Sequence, residues 1–274
     1  MIQFPNCKIN LGLSILEKRT DGFHGLETIF YPVALTDGIE IVINKGHQNN
    51  AVEFTSSGNP IPGDVSGNLC VKAYDLLKKD FPLMSNIKIH LHKKIPIGAG
   101  LGGGSSDGAS ALIILNDLFQ LHINQAQLIQ YAVQLGSDCP FFILNKACHA
   151  TGRGEILNPI EIDLSNYSFA LIHPGIHIAT PWAFQQIKPC VKEKSIITII
   201  KQPIETWKAE LINDFEAPVF NAHPQLQIIK NELYHQGALY ASLSGSGSSI
   251  FGIFPKGHSF IPSPAFASST INMI

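Results

Sequence analysis

The 274-residue chain has few charged residues and little excess of either sign, with 19 Lys and Arg against 21 Asp and Glu. Adjacent basic residues such as Lys93–Lys94 form only local doublets and no basic face, which argues against a nucleic-acid partner. No apolar run approaches the ~18 residues that a bilayer span needs, and the first residues lack the charged-then-apolar order of a signal peptide. We therefore expect a cytoplasmic protein that binds neither nucleic acid nor membrane.

Cysteine is scarce and irregularly placed. The chain has five cysteines, an odd number, and none of them forms a Cys-x-x-Cys pair. This usage indicates reduced thiols and argues against a structural zinc site. His90 and His92 share a strand face at a spacing that metal ligands use, but no carboxylate or cysteine nearby completes a set. Solvent-facing strand positions explain the two histidines better, and we expect no protein metal site.

Glycine, in contrast, is concentrated in one segment. Residues 96–107 read Pro-Ile-Gly-Ala-Gly-Leu-Gly-Gly-Gly-Ser-Ser-Asp, after a strand-like alternation and before a helical pattern. A strand, a glycine loop and a helix N-terminus direct bare N–H groups and a helix dipole at one point, and such a point binds phosphate. The predicted phosphate-binding residues are Pro96, Gly98, Ala99, Gly100, Leu101, Gly102, Gly103, Gly104, Ser105 and Ser106.

Two familiar phosphate loops fit this segment poorly. A Walker loop needs a Lys after its last glycine, where this chain has Ser105. The dinucleotide fingerprint Gly-x-Gly-x-x-Gly is matched formally by Gly98, Gly100 and Gly103. It lacks the acidic residue expected about 20 positions later, and about 95 residues precede the loop. Both alternatives are therefore disfavoured.

The segment resembles the ATP-binding loop of the galactokinase, homoserine kinase, mevalonate kinase and phosphomevalonate kinase (GHMP) superfamily. Its triple glycine followed by two serines is similar to one branch, the kinases of 4-diphosphocytidyl-2-C-methyl-D-erythritol. The resemblance implies an α/β (α+β) fold of two domains with the active site in the interdomain cleft. A composition shift near Ala150 suggests an ATP-binding domain at 1–150 and a substrate-side domain at 151–274.

The N-terminal segment carries a second part of the resemblance. Lys8 and Asn10 alternate on one face of a predicted strand, and the residues alone favour an ordinary exposed face. The family has a Lys-x-Asn on its first strand and an Asp-Gly-Tyr-His after it. The resemblance implies that Lys8 and Asn10 reach the phosphoacceptor end of the substrate, while Phe23 and His24 hold the cytosine. Phe23 replaces the usual Tyr, keeping a ring face but losing a hydroxyl.

Asp138 lies in a third matching segment, Gly-Ser-Asp-Cys-Pro-Phe-Phe, at 136–142. The residues alone predict a helix N-cap at this position. The resemblance implies the catalytic aspartate that orients or deprotonates the attacking hydroxyl, with Lys8 beside it and the γ-phosphate. The two roles are compatible, because a helix N-terminus keeps a carboxylate ionised.

Two further residues receive roles from the resemblance. Phe184 follows a predicted helix start and would, from the residues alone, be a core aromatic; the resemblance implies that it forms the other side of a cytosine sandwich with Phe23. Asn68 matches a position that touches adenine. Lys93 belongs to a basic doublet that a nucleotide phosphate would explain, and we expect it to contact substrate. The glycine-rich turn at 244–248 resembles a third motif that returns to the active site.

The implied reaction transfers the γ-phosphoryl group of ATP to the 2-hydroxyl of 4-diphosphocytidyl-2-C-methyl-D-erythritol, in non-mevalonate isoprenoid precursor biosynthesis. Mg²⁺ is expected to bridge the phosphates. The partners are small molecules, and we expect a monomer or weak homodimer. Two alternatives remain open. A related kinase of mevalonate, homoserine or a sugar would not need His24, whereas a non-catalytic nucleotide sensor could dispense with Lys8 or Asp138, and both are present.

Overall fold

The computed structural model describes residues 1–46, 51–261 and 263–274. Helices and strands both occur throughout the described residues, so the fold is α+β. The strands are β1 (Ile2–Gln3), β2 (Asn6–Lys18), β3 (His24–Thr36), β4 (Gly38–Ile43), β5 (Val52–Gly58), β6 (Ile87–Lys93), β7 (Cys148–Thr151), β8 (Ile156–Pro159), β9 (Tyr167–His173), β10 (Tyr240–Leu243), β11 (Ile250–Pro255) and β12 (Thr270–Met273). The helices are α1 (Leu69–Asp80), α2 (Gly103–Leu118), α3 (Gln125–Leu135), α4 (Cys139–Leu144), α5 (Thr180–Gln185), α6 (Ile196–Ile199), α7 (Ile204–Glu210), α8 (Glu216–Ala222) and α9 (Pro224–His235).

The chain forms two compact units, and each is assembled from separate segments. The first comprises residues 1–7, 34–97 and 102–145, and the second comprises residues 8–33, 98–101 and 146–274. The functional division at residue 150 stays a prediction. No helix in the described parts of the chain combines the length and the apolarity that a membrane crossing requires.

The first unit is built on a sheet with the strand order β1-β4-β6-β5. Strand β4 runs antiparallel to β6, and β5 runs parallel to it. Side chains of β6 alternate between buried and exposed, as the sequence predicts for a half-buried strand. Helix α2 packs on β4 and contacts α1, α3 and α4. Strand β6 and helix α2 lead into and out of the glycine loop.

His90 and His92 are exposed on β6, as expected. The Ser57 hydroxyl lies 3.0 Å from a ring nitrogen of each histidine. Across the described ranges no group of three or more His, Cys, Asp and Glu side chains is placed to hold a metal ion.

The second unit contains two sheets, with strand orders β2-β3-β7-β8 and β10-β11-β9-β12. In the latter sheet all neighbouring strands are antiparallel, and helix α9 packs on β10 and β11. Buried side chains such as Ile15, Phe215, Leu233 and Phe254 form the core of this unit. Strand β12 pairs with β9 and lies in the tail 255–274, whose sequence leaves open whether it forms a strand. The hairpin predicted around residues 244–248 is the connection between β10 and β11.

Candidate active site

The glycine loop has the backbone that its sequence predicts. Strand β6 ends at Lys93, and helix α2 begins at Gly103, inside the glycine segment itself. Gly98, Gly100 and Gly102 have φ angles of 65°, 78° and 70°, a region that side-chain-bearing residues adopt only with strain. The alternating positive angles turn the chain sharply into the helix, so the first N–H groups of α2 follow directly from the loop.

The first half of the loop, Gly98–Leu101, packs against the glycine-rich turn at 244–248 within the second unit. A methyl group at Gly100 would lie 1.9 Å from the Ser244 carbonyl oxygen, so only glycine fits. The Ser244 hydroxyl donates to the Gly100 carbonyl at 2.9 Å, and the Ser249 N–H donates to the Ala99 carbonyl at 3.1 Å. The segment at 244–248 therefore returns to the loop, as the resemblance implies.

Lys8 is buried on β2, with 4% of its surface exposed, and Asn10 is 1% exposed. The exposed strand face that the residues alone favour is therefore wrong. The Lys8 ammonium donates to Asn10 Oδ1 at 2.7 Å and to the Gly100 carbonyl at 3.1 Å. Its nitrogen also lies 5.0 Å from the centre of the Phe30 ring. These contacts hold a positive charge at the backbone of the glycine loop.

Asn10 is held by a second hydrogen bond. Its amide donates to the Thr28 hydroxyl at 3.0 Å, and that hydroxyl donates to the Gly12 carbonyl at 2.5 Å. The chain of bonds fixes the amide orientation, so that Oδ1 faces the Lys8 ammonium.

Asp138 occupies the N-cap position of α4, as predicted, and is half-buried. The neighbouring Cys139 is fully buried, and burial raises the pKa of its thiol to about 12. The Ser105 side chain, in the first turn of α2, acts in the opposite direction and lowers this pKa in part. The predicted catalytic carboxylate is therefore next in the chain to a thiol that interacts with the first turn of α2 within the first unit.

Lys93 does not lie in the open. It is 4% exposed, and its ammonium forms ion pairs with Asp37 and with Asp107 Oδ2, the latter at 2.6 Å. The other Asp37 oxygen accepts from the backbone N–H groups of Lys94 at 2.6 Å and Ile95 at 2.8 Å. The predicted role of Lys93 toward a substrate phosphate stays a prediction, and the observed partners of its charge are two carboxylates.

For Lys93 and Asp107, burial and the charge of the ion-pair partner shift the pKa in opposite directions. Burial raises the pKa of Asp107 to about 7, although the Lys93 ammonium lowers it in part. Burial also lowers the pKa of Lys93, but Asp107 and Asp37 outweigh that effect and leave the pKa raised. The ammonium therefore stays charged.

The predicted cytosine-binding aromatics all belong to the second unit. The rings of His24 and Phe184 are stacked, with centroids 5.0 Å apart, and Phe215 meets Phe184 edge-on at 4.9 Å. Phe23 is 53% exposed, and the Arg153 guanidinium lies 4.5 Å from its ring centre. The sandwich of Phe23 and Phe184 stays a prediction; the observed stacking partner of Phe184 is His24.

Asn68 caps helix α1, since its side-chain oxygen accepts from the Cys70 N–H at 2.9 Å. The cap fixes the side chain at the start of α1. Its predicted contact with adenine stays a prediction.

The sequence reasoning missed two kinds of supporting residue. Asp37 and Asp107 neutralise Lys93, and Asn213 donates from one amide to the carbonyls of Leu243 at 2.8 Å and Gly245 at 2.9 Å. Asp107 stands inside the glycine motif itself, so its position was a usable signal. Asp37 and Asn213 are distant in sequence from the residues that they hold, and no local pattern indicates them.

Comparison with known proteins identifies the family. Residues 68–146 match the model of the GHMP kinases N terminal domain, and residues 201–259 match that of the GHMP kinases C terminal. The chain is 51% identical over 255 residues to the 4-diphosphocytidyl-2-C-methyl-D-erythritol kinase of Cytophaga hutchinsonii, covering 93% of this chain and 92% of that protein. It is 52% identical over 258 residues to the kinase of the same name from Bacteroides thetaiotaomicron, covering 94% and 93%.

Solved structures agree with the sequence matches. A crystal structure of 4-(cytidine 5'-diphospho)-2C-methyl-D-erythritol kinase has a TM-score of 0.79 at 30% identity, over 92% of this chain and 90% of that one. The mevalonate kinase of Methanococcus jannaschii has a TM-score of 0.70 at 15% identity, over 94% and 92%, which shows a shared fold. The predicted fold and resemblance are confirmed, and the chain belongs to the 4-diphosphocytidyl-2-C-methyl-D-erythritol kinase family of the GHMP kinases.

Proposed function

We propose that this chain transfers the γ-phosphoryl group of ATP to the 2-hydroxyl of 4-diphosphocytidyl-2-C-methyl-D-erythritol, a step in non-mevalonate isoprenoid precursor biosynthesis. The observation that carries the proposal is the identity of 51% and 52%, over more than nine-tenths of the chain, to two kinases named for this substrate.

The glycine loop binds the ATP phosphates. Residues Gly98 to Ser106 combine positive φ angles with the N-terminus of the 16-residue helix α2. Backbone N–H groups and the positive end of the helix dipole attract a phosphate without any basic side chain. Asn68 borders the adenine of the same ATP molecule.

Asp138 orients the 2-hydroxyl and accepts its proton. As the bond between this oxygen and the γ-phosphorus forms, the bond from phosphorus to the bridging oxygen breaks and ADP leaves. Lys8 counters the charge on the transferring phosphoryl oxygens. Its contact with the Gly100 carbonyl, at 3.1 Å, supports this role because it holds the ammonium at the loop. Positioning supplies most of the acceleration, since the accepting hydroxyl is tertiary and a poor nucleophile.

The substrate is held by Asn10, Phe23, His24 and Phe184, with the aromatic rings contacting the cytosine. Base–aromatic stacking is worth about 1–3 kcal/mol and tolerates the exchange of one ring for another, so Phe23 can serve in place of Tyr.

Mg²⁺ enters the proposal with ATP, whose phosphate oxygens are the ligands that this hard cation prefers. The residues that the structure describes form no cluster of three metal-binding side chains. Mg²⁺ bound with a nucleotide is commonly held by the phosphates and only one or two protein oxygens, and the hydroxyl of Ser105 or Ser106 would supply one here.

The proposal is tested by phosphoryl transfer from ATP and Mg²⁺ to 4-diphosphocytidyl-2-C-methyl-D-erythritol, with Asp138→Asn as the variant. We expect turnover by the unaltered protein and a loss of about 10²-fold or more in kcat for the variant. Asp117→Asn is the matched control, because Asp117 is an exposed carboxylate on α2. It should react at the rate of the unaltered protein.

Each other outcome has a definite meaning. Turnover of mevalonate, homoserine or a sugar in place of the proposed acceptor would replace the substrate and keep the kinase. Nucleotide binding without turnover of any acceptor would favour a sensor. Equal rates for Asp138→Asn and the unaltered protein would remove Asp138 from the chemistry.

We also infer that the protein acts in the cytoplasm as a monomer or weak homodimer. All five cysteines are free thiols, which suits a reducing compartment. Light scattering at micromolar concentration measures the oligomeric state directly, and a stable higher oligomer would contradict the inference.

A further inference from the structure

Three buried charged residues lie together beside the glycine loop without a step in the proposed reaction: Asp37, Lys93 and Asp107. Asp37 and Asp107 are each 2% exposed, and Lys93 is 4% exposed. The Lys93 ammonium contacts one oxygen of each carboxylate. We call this group the Lys93 cluster.

The Lys93 cluster joins the two stems of the loop. The incoming stem follows β6, and Asp37 Oδ1 accepts from its N–H groups at Lys94 and Ile95, at 2.6 and 2.8 Å. The outgoing stem is the start of α2, where Asp107 binds the Lys93 ammonium at 2.6 Å. One ammonium and two carboxylates therefore link the residues before the loop to the residues after it.

The stems also pack too closely to shift independently. A methyl group at Gly103 would lie 2.8 Å from Cγ2 of Ile95 and 3.4 Å from the Lys93 nitrogen. The first residue of α2 thus rests directly on the incoming stem, at the level of the Lys93 ammonium.

Stability alone is a weak reason for such a cluster. Two carboxylates share one ammonium, and Asp107 Oδ1 is buried without a hydrogen-bond partner among the described residues. Burying an incompletely paired charge is costly, and well-packed apolar side chains in place of buried ion pairs are often as stable or more so. What the charged groups provide and apolar ones do not is a directional attachment between two backbone segments.

We propose that Asp37, Lys93 and Asp107 are positioning residues that hold both stems of the glycine loop in the geometry that receives the ATP phosphates. The inference rests on the proposed function, since it assigns the nucleotide to this loop. The cluster acts through the backbone. Preorganisation of a loop raises affinity by reducing the ordering cost of binding, so the effect falls on the KM for ATP more than on kcat.

The test compares two variants that both remove the Asp107 charge. Asp107→Asn keeps an oxygen that can accept from Lys93, whereas Asp107→Ala removes the attachment. Calorimetry with ADP should give an affinity within about 3-fold of the unaltered protein for Asn and at least about 10-fold weaker for Ala. The KM for ATP should rise in parallel, while kcat and the KM for the second substrate change less than about 3-fold. Ser110→Ala, a buried serine one turn later on α2, is the control for altering this helix.

Amide hydrogen exchange of residues 94–110 gives a readout that needs no nucleotide. Exchange at the start of α2 should be faster in Asp107→Ala than in Asp107→Asn or Ser110→Ala. If Asp107→Ala does not fold, Asp107→Leu, which has a similar shape and also lacks an acceptor, takes its place.

Several results would overturn the inference. Equal weakening by Asn and Ala would assign the effect to charge and not to the attachment. A lower melting temperature with unchanged ADP affinity would leave the cluster a purely structural role. If the unaltered protein binds ADP and every variant binds it equally, the inference alone fails; if the unaltered protein binds no nucleotide, the proposed function fails with it.

Discussion

The His24 imidazole is stacked on the Phe184 ring, with centroids 5.0 Å apart and planes inclined by 20°. Phe215 meets the same ring edge-on, so Phe184 is held from two sides. Phe23, which the sequence pairs with Phe184, is instead exposed beside the Arg153 guanidinium. Within one unit, the stack thus brings together two residues for which the family resemblance separately implies contact with the cytosine.

Removing either stacked ring should weaken binding of the cytidine substrate. Because stacking on a base is worth about 1–3 kcal/mol, we expect His24→Ala and Phe184→Ala to raise its KM by roughly 5- to 100-fold and to leave the KM for ATP unchanged. Steady-state kinetics with each substrate varied in turn measures the split. Phe4→Ala, at an exposed phenylalanine of the first unit, is the control. An unchanged KM for the cytidine substrate in both ring variants would contradict the assignment.

Lys8→Met should lower kcat by about 10²- to 10³-fold, because it removes a charge that the proposal places at the transferring phosphoryl group. The thioether side chain has a similar length but leaves Asn10 Oδ1 and the Gly100 carbonyl without the ammonium donor. Lys8→Arg should not restore the rate, since the larger guanidinium has to enter a site that is 4% exposed. Rapid-quench single-turnover assays give the chemical step. A kcat within 3-fold of the unaltered value for Lys8→Met would rule out the proposed role.

Gly100→Ala should destabilise the protein severely. The added methyl group would lie 1.9 Å from the Ser244 carbonyl oxygen, and the residue has a φ of +78°. Gly104→Ala is the matched change, because an added methyl group there meets nothing within 4 Å and the residue lies in helix α2. Gly104 is the second residue of α2 and has no positive φ angle, so Gly104→Ala should unfold at the same or a higher temperature. Thermal unfolding compares the two, and equal melting temperatures would refute the predicted clash.

The stability of the protein should fall as the pH rises from about 4 to about 7, through the contribution of Asp107. The pKa of this carboxyl is raised from 3.8 to about 7 in the folded state, chiefly by burial. The folded protein therefore binds the proton more tightly than the unfolded chain does, and the resulting stabilisation is lost as the carboxyl ionises. Above about pH 7 this contribution is constant.

Urea unfolding between pH 4.5 and 8 measures that dependence. The free energy of unfolding of Asp107→Asn should fall less steeply over this range than that of the unaltered protein, since the amide does not titrate. Parallel curves for the two proteins would show that Asp107 does not take up a proton on folding.

Local patterns predicted the local elements well. The alternation in β6 and the run of glycines each determine structure over a few residues, and the structure has a strand and a turn there. The short helices α6, α7 and α8, of four to seven residues, carry too few residues for a helical period to show.

Exposure and long-range pairing were less accessible from the sequence. Lys8 looked exposed because its alternation with apolar neighbours resembles a half-buried strand, yet both faces of β2 are covered at this point. Its Gly100 partner is 92 positions away, and Lys93 and Asp37 are 56 apart. Only the family resemblance, and no periodicity, singled out Lys8 and Asn10 for the site.

Each unit is assembled from chain segments that are distant in sequence, and this affects how the protein folds during synthesis. Residues 8–33 belong with residues 146–274, and the Ile15 N–H bonds to an Asp214 oxygen 199 positions later. During synthesis β3 follows β2 at once, but residues 146–274, which complete their unit, emerge from the ribosome much later. Contacts of such sequence separation slow folding. A fragment ending near residue 150 would keep β3 beside β2 but would lose most of the remaining residues of their unit.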